Sequence, residues 1–259
     1  MKIKILNRKG QNLQFMIENT DAAFANSLRR IMITEIPTMA IEWIDVHQNN
    51  SALFDEIIAH RLGLVPIKFS PKKFNSPEDC SCGGKGCPSC QVTFVLDKKG
   101  PCIVTAGDMK SSDKTVEPTD PRIPIVELLE NQSLKLEAVA RLGTGLSHIK
   151  HQAANASYSY YPKITVTGTK AQAESALKLC PKGSAKLEGK TISVTDVSKS
   201  DTVLACLKEA EGIDAKGDES RIIFNVESVS GLEPEYIVSK AAEILESKAE
   251  DFKKRLSKL

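Results

Sequence analysis

Four of the chain's seven cysteines fall within eleven residues, CSCGGKGCPSC at 80 to 90. Between them stand only glycines, serines, one proline and one lysine. A stretch with so little apolar surface cannot be held in shape by burial, which leaves a metal, a disulfide pair, a redox site or chance as the explanations of the gathered thiols. The spacing is C-x-C-x4-C-x2-C, at Cys80, Cys82, Cys87 and Cys90. Four thiolates match the tetrahedral demand of a structural zinc ion, and the intervening glycines let the backbone turn tightly around it. Cys87-Pro88-Ser89-Cys90 is a C-x2-C knuckle, while Cys80-Ser81-Cys82 is tighter than the first pair of a standard finger. One structural zinc is the expected occupant, with an iron–sulfur cluster or no metal at all as the alternatives. A site with all four positions taken by protein lacks the open position that catalytic zinc needs.

The compartment bears on this choice. No run approaches the roughly 18 apolar residues of a membrane span. The start, MKIKILNRKGQNLQF, turns polar too soon to hold a signal-peptide core. A cytoplasmic protein with no membrane partner is expected, and there thiols stay reduced, which favours metal over disulfide. Thirty-five basic residues are scattered among thirty-three acidic ones, for a net charge of +2. That balance lacks the basic excess of a protein that holds nucleic acid by itself. Lys253, Lys254 and Arg255 read as a solvated helix end.

Along the chain, KIKIL at 2–6 and LQFMI at 13–17 read as a hairpin about Lys9-Gly10-Gln11-Asn12. Asn19-Thr20-Asp21 offers a helix cap, and the helix that follows places Phe24, Leu28, Ile31, Met32 and Ile36 on one face before Pro37 stops it. MAIEWIDVHQN is a strand, FDEIIAHRL a short helix with Gly63 as its C-cap, and LVPIKF an extended segment. VTFVLDKKG and PCIVTAGDM read as a strand pair about a Gly-Pro turn. SLKLEAVARLG, KTISVTD and RIIFNVESV are further strands, the second within an insert of short helices at 170–215. LEPEYIVSKAAEILESKAEDFKKRLSKL is one long helix, with Ile237, Ala241, Ile244, Leu245, Phe252, Leu256 and Leu259 in a stripe that Lys248 interrupts. Its apolar face and that of the first helix could each pack internally or meet a second chain.

Two blocks, NTDAAFANSLRRIMITEIPTMAIEWIDV and ALFDEIIAHRLGLVPI, closely resemble the D-subunit family of archaeal RNA polymerase. The eukaryotic third-largest subunit and the bacterial alpha N-terminal domain are similar to it. The resemblance extends through the cysteine loop, LEAVARLGTGLSHIKHQ and the end helix. It implies an α+β fold: a discontinuous alpha-subunit-like dimerisation domain (1–45 plus 222–259), an inserted β-rich domain (46–165) with the cysteine loop, and a ferredoxin-like third domain (166–221). It also implies a heterodimer with a small L-type subunit, a platform for the large catalytic subunits and other small subunits, and only indirect contact with DNA. Phe24, Leu28, Ile31, Ile244, Phe252 and Leu256 are then the expected dimer contact. Arg29 and Arg30 are solvated helix charges on one reading, and contacts to the large subunits on the other. The family places metal-binding cysteines where Cys80, Cys82, Cys87 and Cys90 stand, with a middle gap one residue shorter in eukaryotic relatives.

A two-cluster ferredoxin needs C-x2-C-x2-C-x3-C in each half. The first half aligns with Lys170, Ala173, Ala176 and Cys180, the second with Ser200, Val203, Cys206 and Ala210. One thiol of four survives in each, so no iron–sulfur cluster is expected, and Cys180 and Cys206 read as buried thiols. The rival function, a ferredoxin-like metal or redox protein, is weakened by those missing ligands. A second rival, a hydrolase built on His60, His148 or His151, has no clear carboxylate partners. No D-x-D-x-D triplet and no G-x4-G-K-[ST] loop appears. The expected role is thus a non-catalytic assembly subunit of a nucleotidyltransferase complex.

Overall fold

The computed structural model describes residues 1–258; Leu259, the last member of the end-helix stripe, lies outside them. The fold is mixed α and β, and the described residues divide into two compact units, Met1–Arg29 with Ala156–Val226, and Arg30–Asn155 with the chain from Glu227 onward.

The first unit is built on a six-stranded sheet. β1 (Lys2–Lys9) and β2 (Asn12–Glu18) form the expected hairpin, turning at Gly10, whose φ of +56° is the left-handed conformation that glycine adopts without strain. Asp21 then caps α1 (Ala22–Thr34), its carboxylate accepting the Phe24 N–H at 2.8 Å. The sequence passes through β3 (Thr38–Asn49), α2 (Asp55–Gly63), β4 (Ile67–Lys68), β5 (Gln91–Lys99), β6 (Cys102–Thr105), β7 (Lys110–Ser111), β8 (Glu117–Pro118), β9 (Pro124–Leu128) and β10 (Ser133–Gly143). It returns to the first sheet with β11 (Ala154–Val166), followed by α3 (Lys170–Leu177), β12 (Ala185–Glu188), β13 (Thr191–Val194), α4 (Ser200–Lys208) and β14 (Ile213–Ser228), and ends in α5 (Pro234–Leu256). The sheet order is β1-β2-β14-β11-β13-β12. Phe15 of β2 stacks on Phe224 of β14 with ring centroids 5.0 Å apart, and Tyr158 of β11 adds a third ring at 5.8 Å from Phe224.

The second unit centres on a sheet ordered β3-β10-β5-β7. β10 is its spine: Ala138 lies opposite Ile44 of β3 on one side and Phe94 of β5 on the other. Alternate residues Leu134, Leu136, Ala138, Ala140 and Leu142 are buried, the period-two pattern of a strand with one covered face.

Two local expectations are corrected. β5 and β6 do not pair across the Gly100-Pro101 turn; β5 lies between β10 and β7, while β6 pairs with β9. Gly63 is not a left-handed C-cap; α2 runs through it and closes on Leu64, in ordinary right-handed geometry at φ −92°. A Cβ at Gly63 would touch only the Ile41 carbonyl oxygen at 3.7 Å and the Lys150 stem at 4.0 Å.

Candidate functional site

The loop between β4 and β5 brings the four expected thiols together. All four Sγ atoms lie within 4.8 Å of one another, and among the described residues this is the group of three or more metal-donor side chains that converges. The Sγ–Sγ separations are 3.5 Å for Cys80–Cys87 and Cys80–Cys82, 3.6 Å for Cys82–Cys90 and 3.8 Å for Cys87–Cys90. Four sulfurs at tetrahedral corners about one ion, with bonds of ~2.3 Å, stand about 3.8 Å apart. The donor set therefore fits a single tetrahedral ion. A four-iron cluster, with each thiolate on a different iron, needs its sulfurs spread more widely.

The backbone makes this convergence possible. Gly83, Gly84 and Gly86 have φ of +62°, +76° and +95°, so three of the four residues between Cys82 and Cys87 take conformations that side chains resist. In the knuckle, the Cys87 N–H donates to Cys90 Sγ at 3.3 Å and the Cys90 N–H donates to the Cys87 carbonyl at 2.9 Å. The thiols split in acidity. Cys82 is lowered to about 6, first by its hydrogen bond with the Cys80 thiol and next by the Gly86 amide. Cys80 is raised to about 12: the Cys82 amide draws it down, but its contact with the Cys82 sulfur, burial, and the Cys87 and Cys90 sulfurs outweigh that pull. Burial, the largest influence, also raises Cys90. Such a split is what close sulfur neighbours impose when they compete to carry one negative charge, and a cation removes the competition.

Side chains far away in sequence anchor the loop, and sequence reasoning missed them. Arg141 of β10 donates to Gln91 Oε1 at 3.0 Å and lays its guanidinium over the Trp43 ring at 4.2 Å. Lys73 pairs with Asp113, whose carboxyl is lowered to about 2 by that lysine and by the Thr115 amide and hydroxyl. Neither group carries a motif; only the fold brings 73 next to 113.

The residues expected at a partner face do not all lie at the surface. Leu28 and Ile31 are each 3% exposed within this chain. They belong to this chain's own core, because α1 turns that stripe inward. Phe24 and Ile244 are half-buried. Phe252 and Leu256 are 66% and 52% exposed. Along α5, Ile237 and Ala241 are buried, whereas residues 246–256 are exposed throughout. Lys248, which breaks the stripe, pairs with Glu35. Arg29 is held by its own helix, donating to Asn26 Oδ1 at 3.0 and 3.2 Å, and Arg30 is exposed.

The other candidates separate. Cys180 is buried and Cys206 half-buried in an apolar cluster with Ile164, Ala176, Ile192, Val194, Val203 and Leu207. Burial first, then the nearby Cys206, raises the Cys180 thiol. His151 is buried, its Nδ1 2.8 Å from the Thr38 carbonyl and its Nε2 3.5 Å from Glu42. The exposed His148 accepts the Lys150 N–H on its Nδ1 at 3.1 Å. These contacts shape the turn between β10 and β11: a Cβ at Gly143 would stand 2.6 Å from the His151 ring.

Comparison with known proteins matches residues 14–249 to a family model, the RNA polymerase Rpb3/Rpb11 dimerisation domain. DNA-directed RNA polymerase subunit Rpo3 of Archaeoglobus fulgidus is 37% identical over 266 residues, covering 100% of this chain and 98% of that one. The Rpo3 subunits of Methanosphaera stadtmanae and Thermococcus kodakarensis are 36% and 35% identical, each comparison covering at least 97% of both chains. No helix among the described residues is long and apolar enough to cross a membrane.

Proposed function

The chain belongs to the RNA polymerase Rpb3/Rpb11 dimerisation-domain family as an archaeal D-type subunit, and from that premise we propose that it is an assembly subunit of DNA-directed RNA polymerase. It pairs with a small L-type subunit, and the heterodimer is the platform on which the large catalytic subunits and other small subunits gather in the cytoplasm. The observation that carries this reading is the match of residues 14–249 to a dimerisation domain. The exposed Phe252 and Leu256 support it, since apolar side chains left in water at a helix end mark a contact surface. The half-buried Phe24 and Ile244 and the buried Leu28 and Ile31 complete the proposed contact set.

The chain's part in nucleotidyl transfer is structural. It has no acidic triplet for catalytic magnesium and no phosphate loop, and its near-balanced charge fits an indirect relation to DNA. The exposed Arg30 is the better candidate for reaching a large subunit, because Arg29 is already engaged by Asn26. Cys80, Cys82, Cys87 and Cys90 would hold one zinc ion, whose contribution is to cross-link a loop that cannot pack.

The chain would divide into a dimerisation domain of 1–45 plus 222–259, an inserted β-rich domain of 46–165, and a ferredoxin-like domain of 166–221 that holds no iron. Buried Ala173, Ala176 and Val203 at would-be ligand positions support that last point. The 16-residue β14 supports a continuous junction, since it runs from the third domain into the dimerisation domain as one strand.

Co-expression with an L-type subunit tests the function. The wild-type chain is expected to give a soluble one-to-one complex. Phe252→Asp with Leu256→Asp is expected to abolish it, because two carboxylates would have to be desolvated in an apolar seam. An unchanged affinity in the double variant would show that the end helix takes no part in pairing.

A further inference from the structure

Gln91 stands at the junction of the cysteine loop and the sheet beside it. Cys90, the last of the four thiols, is buried, and the next residue, Gln91, opens β5. The Gln91 N–H donates to the Cys87 carbonyl at 3.0 Å, so its backbone closes the knuckle. Its carboxamide lies over the neighbouring turn: a Cβ at Gly86 would stand 2.5 Å from Gln91 Oε1, and the Gly86 amide hydrogen-bonds the Cys82 sulfur. One residue thus touches the supports of Cys87 and Cys82 and is joined directly to Cys90. What holds its carboxamide comes from β10. Arg141 lies opposite Gln91 in the β5–β10 register. Its Nη2 donates to Gln91 Oε1 at 3.0 Å, while the guanidinium covers the Trp43 ring of β3 at 4.2 Å. Its Nε is buried with no hydrogen-bond partner among the described residues. An unmade buried donor is costly, so the guanidinium does not sit where its own hydrogen bonding is best satisfied. It sits where it reaches Gln91 and Trp43 together.

We infer that Arg141 is the positioning residue of the metal site: through Gln91 it holds the Gly86 turn and the Cys87–Cys90 knuckle in the metal-binding arrangement, and through Trp43 it ties that arrangement to the sheet. This rests on the metal reading above. Arginine suits the task for two reasons. A planar guanidinium offers a hydrogen-bonding fork at its edge and a flat face at the same time, so it serves the carboxamide and the indole together. It also brings positive charge next to a loop where four thiolates about one divalent ion leave an excess of negative charge. Groups that fix the ligands of a metal act on its affinity without touching it. The clasp has its own reporter, since Trp43 is the chain's single tryptophan. Loss of the ion loosens the knuckle, Gln91 and Arg141 follow, and the guanidinium shifts over the indole.

The test uses the full chain, co-expressed with its L-type partner and loaded with zinc. Arg141→Met and Gln91→Ala are each expected to speed zinc transfer to an excess of chromogenic chelator at least about tenfold. The double variant is expected to be no faster than either single one, because both cut the same link. Arg141→Lys, which keeps the charge without the planar fork, is expected to behave as Arg141→Met does. In the wild type, zinc removal is expected to shift the Trp43 emission, identified as the part of the signal that Trp43→Phe abolishes; in Gln91→Ala that shift is expected to vanish. An arginine that only steadied the sheet would lower the urea midpoint and leave the emission response to zinc in place. Wild-type release from Arg141→Met or Arg141→Lys, multiplied effects in the double variant, or Trp43 emission that ignores the metal in the wild type overturns the clasp and leaves the metal reading standing. If Arg141→Met does not fold, Gln91→Ala decides the question: wild-type release or a retained emission shift overturns the clasp. A wild-type chain that takes up no zinc fails the metal reading, and the clasp fails with it.

Discussion

The loop at 80–90 and the segment at 166–221 both carry cysteines in patterns that resemble metal motifs, and they differ in what surrounds the sulfur. In the loop the thiols have no apolar neighbours within the motif, and glycines at positive φ let all four sulfurs turn toward one point. In the later segment the motif positions are filled by Ala173, Ala176 and Val203, all buried, and Cys180 and Cys206 join an apolar cluster with Val194 and Leu207. The first region has sulfur where it lacks a core; the second has a core where a cluster would need sulfur. A cysteine motif is thus read by its intervening residues as much as by its spacing. Polar, glycine-rich intervals leave the thiols as the main source of order within the motif, and apolar intervals make them ordinary packing groups.

The largest expected effect is on the loop. Chelation, or Cys87→Ser, should take the metal content from about one ion per chain to none, and amide exchange over residues 70–100 should accelerate while that over 166–221 stays as it was. Elemental analysis finding iron in place of zinc, or equal acceleration in both regions, would break the comparison.

Acidity sharpens it next. Metal-bound thiolates compete with protons, so affinity falls as pH falls and the ion is released on acidification. Cys180 has the opposite sign: burial raises its folded value, so its contribution to stability is intact below the ordinary thiol range and is lost as pH climbs through the folded value. In metal-free protein at neutral pH, Cys82, lowered to about 6, should be alkylated at least about tenfold faster than Cys180. Equal rates, read by mass spectrometry of the labelled peptides, would mean that the two environments do not differ as described.

The smallest effect belongs to the second region. Replacing Cys180 and Cys206 together by Ala should cost a packing-scale ~1–3 kcal/mol in chemical denaturation, with anaerobically prepared protein colourless before and after. A brown preparation with acid-labile sulfide would reverse the assignment of that segment.

Local features were the legible ones. Asp21, the stripe of α1 and the stop before Pro37 are near neighbours in sequence, and α1 ends at Thr34 accordingly. The hairpin about Gly10 and the long end helix are legible for the same reason. The pairing of β5 and β6 was misread because a turn signal shows that the chain reverses but does not choose a strand's neighbour. β5 finds β10 more than thirty residues on, and β6 finds β9. Leu28 and Ile31 illustrate the same boundary: periodicity groups them on one face without saying whether that face meets this chain or another.

The thiol set at Cys80, Cys82, Cys87 and Cys90, the polar glycine-rich backbone between them and the amphipathic pattern of α5 are all local features, each depending on residues within a few positions of one another. Long-range packing, by contrast, makes Arg141 steady Gln91 and Lys73 meet Asp113, and it leaves Ile3, Ile5, Phe252 and Leu256 open while it covers Leu28 and Ile31. Burial depends on which distant segments arrive to cover a side chain, and a strand or helix pattern specifies only the face that has to be covered.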